Sequence, residues 1–287
     1  MSTYFIKTFG CQMNFSDSQR LAAFLEKKNL RPAQKMEQAD WIFFNTCGVR
    51  QTAENSAMGL IHNLKEKNPA GQIILSGCLA KRKDVQKKLA EKVSLFLPIG
   101  DFARLDRWLD EKLNKEKSFK KNKSESARAF LFREKNDYLK LTPKYPDRKK
   151  AFVPIMTGCD NFCSYCVVPY ARGREISRPV KDIQKEISAL AMQDCQEITL
   201  LGQNVNSYLH FDEAGRKIDF PALLNLLAQN QPQIIFKFLT SHPKDFSQKL
   251  MQVVAENKNI SKEIHLPIQS GSNKILRLMN RPYTRQH

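Results

Sequence analysis

No stretch of this 287-residue chain approaches the roughly 20 consecutive apolar residues of a membrane-spanning helix, and its start, MSTYFIKTFGC, has no basic segment followed by a long apolar run. These absences argue against a membrane-embedded or exported protein and predict a cytoplasmic one. Acidic side chains are scarce: 29 Asp and Glu stand against 47 Lys and Arg, a formal net charge of +18 at pH 7. That excess goes beyond what solubility needs and attracts phosphate backbones, although a solvated lysine surface has the same composition. A disulfide framework is missing too. Seven cysteines are an odd number in a chain with no export signal, and metal ligation or catalysis is the better use of them. No internal repeat is present, and low complexity is confined to the Lys- and Ser-rich run KLNKEKSFKKNKSESAR, residues 112–128.

What is there reads as an ordinary globular chain, 41% hydrophobic and 26% charged, with room for two domains. The first part alternates strand and helix: TYFIKTF, then SDSQRLAAFLEKK with Ser16 as the expected N-cap, DWIFFN, QTAENSAMGLIHNLKEK, QIILS, KRKDVQKKLAEK, LFLPI and FARLDRWLDEKL. Such alternation predicts a parallel, Rossmann-like sheet with helices on its faces, assigned to residues 1–117. A basic linker is expected over 118–148. A second alternation fills 149–287: AFVPIMT, a cysteine-bearing loop, PVKDIQKEISALAMQD with Val180, Ile183, Ile187 and Leu190 on one face, EITLLGQ, FPALLNLLAQ, IIFKFLTS, PKDFSQKLMQVVAEN, EIHLPIQ and SNKILRLMN. Four βα units in a row predict a partial (β/α) barrel whose chemistry sits at the strands' C-terminal ends. The fold class is therefore α/β, with a barrel incomplete at the C-terminus.

The cysteines fall into this frame as two trios. Cys11, Cys47 and Cys78 each follow a strand of the first domain, so all three are expected along one sheet edge, where ligand sites form. Each could alternatively be a small buried hydrophobe. Cys159, Cys163 and Cys166 form a C-x3-C-x2-C loop, short enough to wrap one inorganic centre. A structural zinc site would need a fourth protein ligand, with His210, His242 and His265 as candidates, whereas a cubane held by three thiolates leaves one iron open. Cys195 fits neither trio and reads as a buried, chemically silent thiol. Arg172, Arg174 and Arg178 follow the loop and could contact phosphate or carboxylate, or simply form a solvated basic loop.

The loop, with Tyr165 before its last cysteine, resembles the signature of radical S-adenosylmethionine (SAM) enzymes. Together with TFGCQMNFSDSQRL, NTCGVR, GCLA, GCDNFCSYCVVPYARGREISRP, LLGQNVNSY, TSHP and HLPIQSGSNKILRLMNRPYT, the chain resembles the methylthiotransferases among them almost end to end. CQMN and GQNVNSY look most like the MiaB type, which acts on N6-isopentenyladenosine beside the tRNA anticodon. The resemblance implies that Cys159, Cys163 and Cys166 hold a [4Fe-4S] cluster that binds SAM, and that Cys11, Cys47 and Cys78 hold a second [4Fe-4S] cluster that delivers the methylated sulfur. It further implies SAM contacts from Tyr165, Gln203, Asn204, Ser241, His242, Gln269 and Ser270. No catalytic residue beyond the cluster ligands is implied. Expected partners are tRNA and an electron donor such as flavodoxin or ferredoxin, with the protein a monomer. Another substrate, threonylcarbamoyladenosine or ribosomal protein S12, and a non-enzymatic iron–sulfur carrier are the alternatives. The family resembled has a longer SAM domain followed by a small RNA-binding β-barrel. Their absence predicts a piece that holds both clusters yet binds tRNA weakly.

Overall fold

The computed structural model describes residues 2–48, 51–115 and 137–287. Two compact units divide the chain, Met1–Lys144 and Tyr145–His287. Of the expected linker, residues 118–136 lie outside the described residues.

In the first unit, β1 (Thr3–Thr8), α1 (Gln12–Lys27), β2 (Arg31–Pro32), β3 (Trp41–Thr46), α2 (Gln51–Lys67), β4 (Gln72–Gly77), α3 (Lys83–Lys88), β5 (Leu95–Leu97) and α4 (Phe102–Lys115) build a parallel sheet in the order β2-β1-β3-β4-β5. Its central strand is WIFFNT, buried at every position, as a parallel strand covered on both faces must be. The period of two then sorts its side chains: Trp41 and Phe43 enter one core with Leu21, Phe24, Leu25 and Leu105, while Ile42 and Phe44 enter the other with Ile61, Ile73 and Leu75.

Two expectations are corrected here. Helix α1 starts at Gln12 with Cys11 as its N-cap rather than at Ser16. Asn14, at the third helical position, accepts the Cys11 N–H on its side-chain oxygen at 3.3 Å, while Ser16 is fully buried and accepts from Arg20 Nη1 at 2.8 Å. Likewise the end of the basic segment is not a solvated connector: Tyr138, Leu139 and Leu141 are buried in the first core, the Tyr138 ring lies 5.4 Å from that of Phe102, and its hydroxyl donates to Asp17 at 3.1 Å. Burying such side chains contributes about 1.5–3 kcal/mol each.

The second unit comprises β6 (Lys150–Pro154), β7 (Met156–Thr157), α5 (Val168–Arg172), β8 (Ile176–Ser177), α6 (Val180–Ala191), β9 (Glu197–Leu201), β10 (Leu209–Phe211), β11 (Lys217–Asp219), α7 (Phe220–Asn230), β12 (Ile235–Phe238), α8 (Gln248–Glu256) and α9 (Asn273–Leu278). A parallel sheet in the order β12-β9-β6 sets Ala151 beside Ile198 and Ile198 beside Phe236. Val180, Ile183, Ile187 and Leu190 of α6 cover it, as their spacing requires. Two short antiparallel pairs, β7 with β8 and β10 with β11, were not expected. The expected fourth strand EIHLPIQ is not a strand. One bond from Ser241 N to His265 O, 3.3 Å, joins it to the chain just after β12, while the bridge to Phe236 comes from Ile260, which precedes it. Pro267 has no N–H to give a ladder, and the carbonyls of Pro267 and Ile268 instead accept from Arg281 Nη2 (3.3 Å) and the Tyr283 hydroxyl (2.8 Å).

Candidate functional site

The register of the first sheet fixes the first trio. Thr46 pairs with Gly77, so Cys47 and Cys78 each come one residue after a paired position. Phe9 N bonds Asn45 O at 2.8 Å and brings the Cys11 turn to the same edge. Gly10 (φ +137) makes the approach possible: a Cβ there would stand 2.6 Å from Cys47 Cβ. Asn14 ties the turn down, accepting from the Cys11 N–H and S–H and donating to Asn45 Oδ1 (3.1 Å) and Thr46 O (3.3 Å), while Asn45 Nδ2 returns a bond to Asn14 O (2.8 Å). Cys47 and Cys78 are buried and Cys11 half-buried.

The second trio lies in one loop between β7 and α5. Gly158 (φ +82) opens it, packed so closely that a Cβ would meet Arg174 O at 1.9 Å. Each sulfur accepts an N–H: Cys159 from Asn161 N (3.4 Å), Cys163 from Arg281 Nη1 (3.5 Å) and Cys166 from Val168 N (3.5 Å). Donors aimed at all three sulfurs suit metal-bound thiolates, whose potential such bonds tune. Burial pushes the Cys159 thiol up to about 11, so a ligand that displaces the proton must compensate for the buried charge. A distant segment clamps the loop: Ser164 N bonds Met279 O (3.1 Å), Ser164 Oγ bonds Leu278 O (3.0 Å) and Asn280 Nδ2 bonds Phe162 O (2.7 Å).

Among the described residues no three His, Cys, Asp or Glu side chains gather closely enough to hold a single metal ion. A tetrahedral zinc site would set its sulfurs about 3.8 Å apart, given Zn–S of about 2.3 Å. A cubane, which is wider than one ion, asks its sulfurs to stand further apart.

Beyond the C-terminal ends of β9 and β12, five buried polar atoms have no partner: Gln203 Oε1, Asn204 Oδ1, Asn206 Nδ2, Ser241 Oγ and His242 Nε2. Buried polar groups are otherwise nearly always paired, and a cluster of orphans is a cradle for a polar ligand. Thr240, at φ +68, turns the chain into Ser241 and is held there by bonds from Thr240 Oγ1 to Gly202 O (2.7 Å) and from Val205 N to Thr240 O (3.1 Å); a β-branched residue in the left-handed region is strained. His242 N donates to Asn206 Oδ1 (3.1 Å), and His242 Nδ1 accepts from Lys244 N (3.3 Å), which places the proton of the neutral ring on Nε2. Burial, with Arg281 and Lys244 nearby, lowers the His242 pKa to about 4.

Of the residues singled out from sequence, Gln203, Asn204, Ser241 and His242 thus share this cluster. Tyr165 is half exposed, its hydroxyl accepting from Arg281 Nη1 at 3.0 Å. Gln269 is exposed at φ +65, and Ser270 Oγ accepts from Ser272 N (3.1 Å) in a local turn. Arg178 is no phosphate ligand: it is buried, paired with Glu186 at 2.7 Å and donating to Pro154 O at 2.6 Å. Arg174 is exposed beside Asp160, 3.0 Å, and over the Phe162 ring. Cys195 is buried against the carbonyls of Lys149 and Glu197. Sequence reasoning missed Asn206 and Arg281; both sit inside motifs it had quoted, NVNSY and MNRPY, but spacing gives no hint of which polar residue turns inward. A cavity of about 600 Å³ beside Trp41, Asn68 and Gln72 opens at the opposite, N-terminal ends of the first sheet's strands.

Residues 3–97 match the profile of Uncharacterized protein family UPF0004, and residues 153–287 match that of the Radical SAM superfamily. The tRNA-2-methylthio-N(6)-dimethylallyladenosine synthase of Bacteroides fragilis is 41% identical over 98% of this chain and 61% of its own length. The enzyme of the same name from Thermodesulfovibrio yellowstonii is 42% identical over 98% of this chain and 62% of its own. The chain therefore spans about three fifths of the length of these curated relatives. Among solved structures, the radical SAM methyltransferase TsrM from Kitasatospora setae (TM-score 0.59, 11% identity, all of this chain and 64% of that one) and the cobalamin-dependent radical SAM enzyme OxsB (0.57, 14%, all of this chain and 46% of that one) share its fold.

Proposed function

Since the chain belongs to the radical SAM methylthiotransferase family, of the MiaB type, we propose that it transfers a methylthio group to C2 of N6-isopentenyladenosine at position 37 of tRNA. Cys159, Cys163 and Cys166 would hold the [4Fe-4S] cluster that binds SAM, and Cys11, Cys47 and Cys78 a second. When bound, these groups supply the radical and sulfur chemistry. The chain's own part is to hold and orient. Asn161 N, Val168 N and Arg281 stabilise the sulfurs as thiolates. Gln203, Asn204, Asn206, Ser241 and His242 offer SAM both acceptors and donors. The neutral His242 presents an N–H without placing a second charge beside Arg281. Tyr165 is also kept as a SAM contact, and Gln269 and Ser270 as contacts that the ligand itself would draw in. The net charge of +18 suits a tRNA backbone. An external one-electron donor such as flavodoxin or ferredoxin, a cytoplasmic setting and a monomeric state complete the reading.

The observation that carries it is the three-cysteine loop with an N–H on every sulfur, in the same unit as five unsatisfied polar atoms at strand ends. Anaerobic reconstitution should give about eight iron per chain, two cubanes' worth, and an absorption or EPR spectrum that changes on adding SAM. Cells lacking the protein should lose the methylthio-isopentenyl nucleoside from tRNA by mass spectrometry. Zinc in place of iron, or persistence of that nucleoside, overturns the proposal.

A further inference from the structure

Arg281 is 6% exposed. Its guanidinium donates through Nη1 to Cys163 Sγ (3.5 Å) and the Tyr165 hydroxyl (3.0 Å), through Nη2 to Pro267 O (3.3 Å), and through Nε to the Tyr283 hydroxyl (2.7 Å). Among the described residues no carboxylate pairs with it, and the partners that act on its charge are Tyr165, Tyr283 and Cys163. A buried cation is unfavourable unless an anion meets it. The anion that this arrangement awaits is sulfur.

We propose that Arg281 is a positioning residue whose buried charge is balanced by the thiolate-held cluster of Cys159, Cys163 and Cys166, and that it eases one-electron reduction of that cluster. The proposal rests on reading these cysteines as cluster ligands. Three thiolates outweigh the charge of a cubane core, so the assembly is anionic and becomes more so on taking up an electron. A fixed cation 3.5 Å from one ligand sulfur therefore favours the reduced state. The electron comes from an external low-potential one-electron donor; no bond forms or breaks and no proton is required. The planar fork explains why arginine stands here: one side chain reaches the sulfur, two hydroxyls and a carbonyl at once. The next-door Asn280 pins the loop without charge, through Phe162 O at 2.7 Å.

The test compares the unaltered 287-residue chain with R281Q, R281K and N280A, each reconstituted anaerobically and titrated with dithionite in the presence of redox mediators. The signal followed is the EPR of the reduced cluster that changes on adding SAM. R281Q should keep its iron, while its reduced-to-oxidised ratio at fixed potential falls at least tenfold, about 59 mV for one electron. R281K should restore most of that ratio, and N280A should leave it unchanged. Equal ratios in all four chains, or a fall in N280A as large as in R281Q, would mean that Arg281 only pins the loop and would overturn the proposal. Should R281Q lose its iron, R281K decides, because it carries the charge without the fork: a ratio near that of the unaltered chain supports the proposal, and a tenfold fall with iron retained overturns it. An unaltered chain that takes up no iron would instead sink the cluster reading itself.

Discussion

The two cysteine trios reach similar ends by different means. Cys11, Cys47 and Cys78 are scattered over 68 residues and are gathered by the register of a parallel sheet, so their geometry is as rigid as β1, β3 and β4. Cys159, Cys163 and Cys166 lie within eight residues, where no strand fixes them. Their loop borrows its rigidity from residues 278–281, more than a hundred positions away, through Ser164, Asn280 and Arg281. A site spread over strands inherits order from the fold, whereas a local loop has to be clamped.

The largest effects should come from the sulfurs. Cys159→Ala should cost about half of the eight iron and abolish the response to SAM, while Cys47→Ala should remove the other half and leave that response in place. Iron lost equally from both trios in either variant would mean that the two sites are not independent. Next in size is the sheet that gathers the first trio. Phe43 is fully buried on β3, four residues before Cys47, and Phe43→Ala should cost about 3–5 kcal/mol. Urea unfolding followed with iron analysis should show the first trio's iron lost at a lower midpoint while the SAM-responsive cluster persists.

How far sequence reaches follows the same contrast. The alternation of strand and helix, the three strand-end cysteines and the buried face of α6 were legible because period and position carry them directly. The start of α1 was not, because the signal of Ser16 outweighed a cysteine cap that only the Asn14 bond makes visible. Tyr138 and Leu139 were hidden by the lysines before them, since composition over a window averages away two apolar anchors. The stretch EIHLPIQ has strand-like residues, yet the carbonyls of Pro267 and Ile268 are taken by Arg281 and Tyr283, and such competition between side chain and ladder leaves no periodic trace. Arg178 and Arg281 make the point most sharply: neighbours alike in sequence context, one is neutralised by Glu186 and the other faces a sulfur.

A smaller effect concerns acid. The ordinary histidine pKa is about 6.5, and burial, then Arg281 and Lys244, lower that of His242 to about 4. Between those values the unfolded chain binds a proton that the folded chain refuses, so stability falls as pH drops through this window and is level above and below it. The loss should reach up to about 3 kcal/mol by pH 4. His242→Gln should flatten that part of the urea-midpoint profile; an unchanged slope would place the acid sensitivity elsewhere.

The smallest effects separate a helix start that serves a site from one that serves only the fold. At α7, Asp219 Oδ1 accepts from Ala222 N at 3.0 Å, and Asp219→Ala should cost about 1 kcal/mol with the iron of both trios intact. At α1, Asn14 joins Cys11 to the strand carrying Cys47, and Asn14→Ala strands Asn45 Oδ1 and the Thr46 carbonyl. Its cost in stability should be about 1–3 kcal/mol, overlapping that of the other cap, but the iron should not follow the same course. If the sheet edge alone held the first trio, Asn14→Ala would lose stability and keep its iron as Asp219→Ala does. Because the Asn14 side chain bonds both the Cys11 turn and the end of β3, iron analysis should instead find the first trio depleted while the SAM-responsive cluster is untouched.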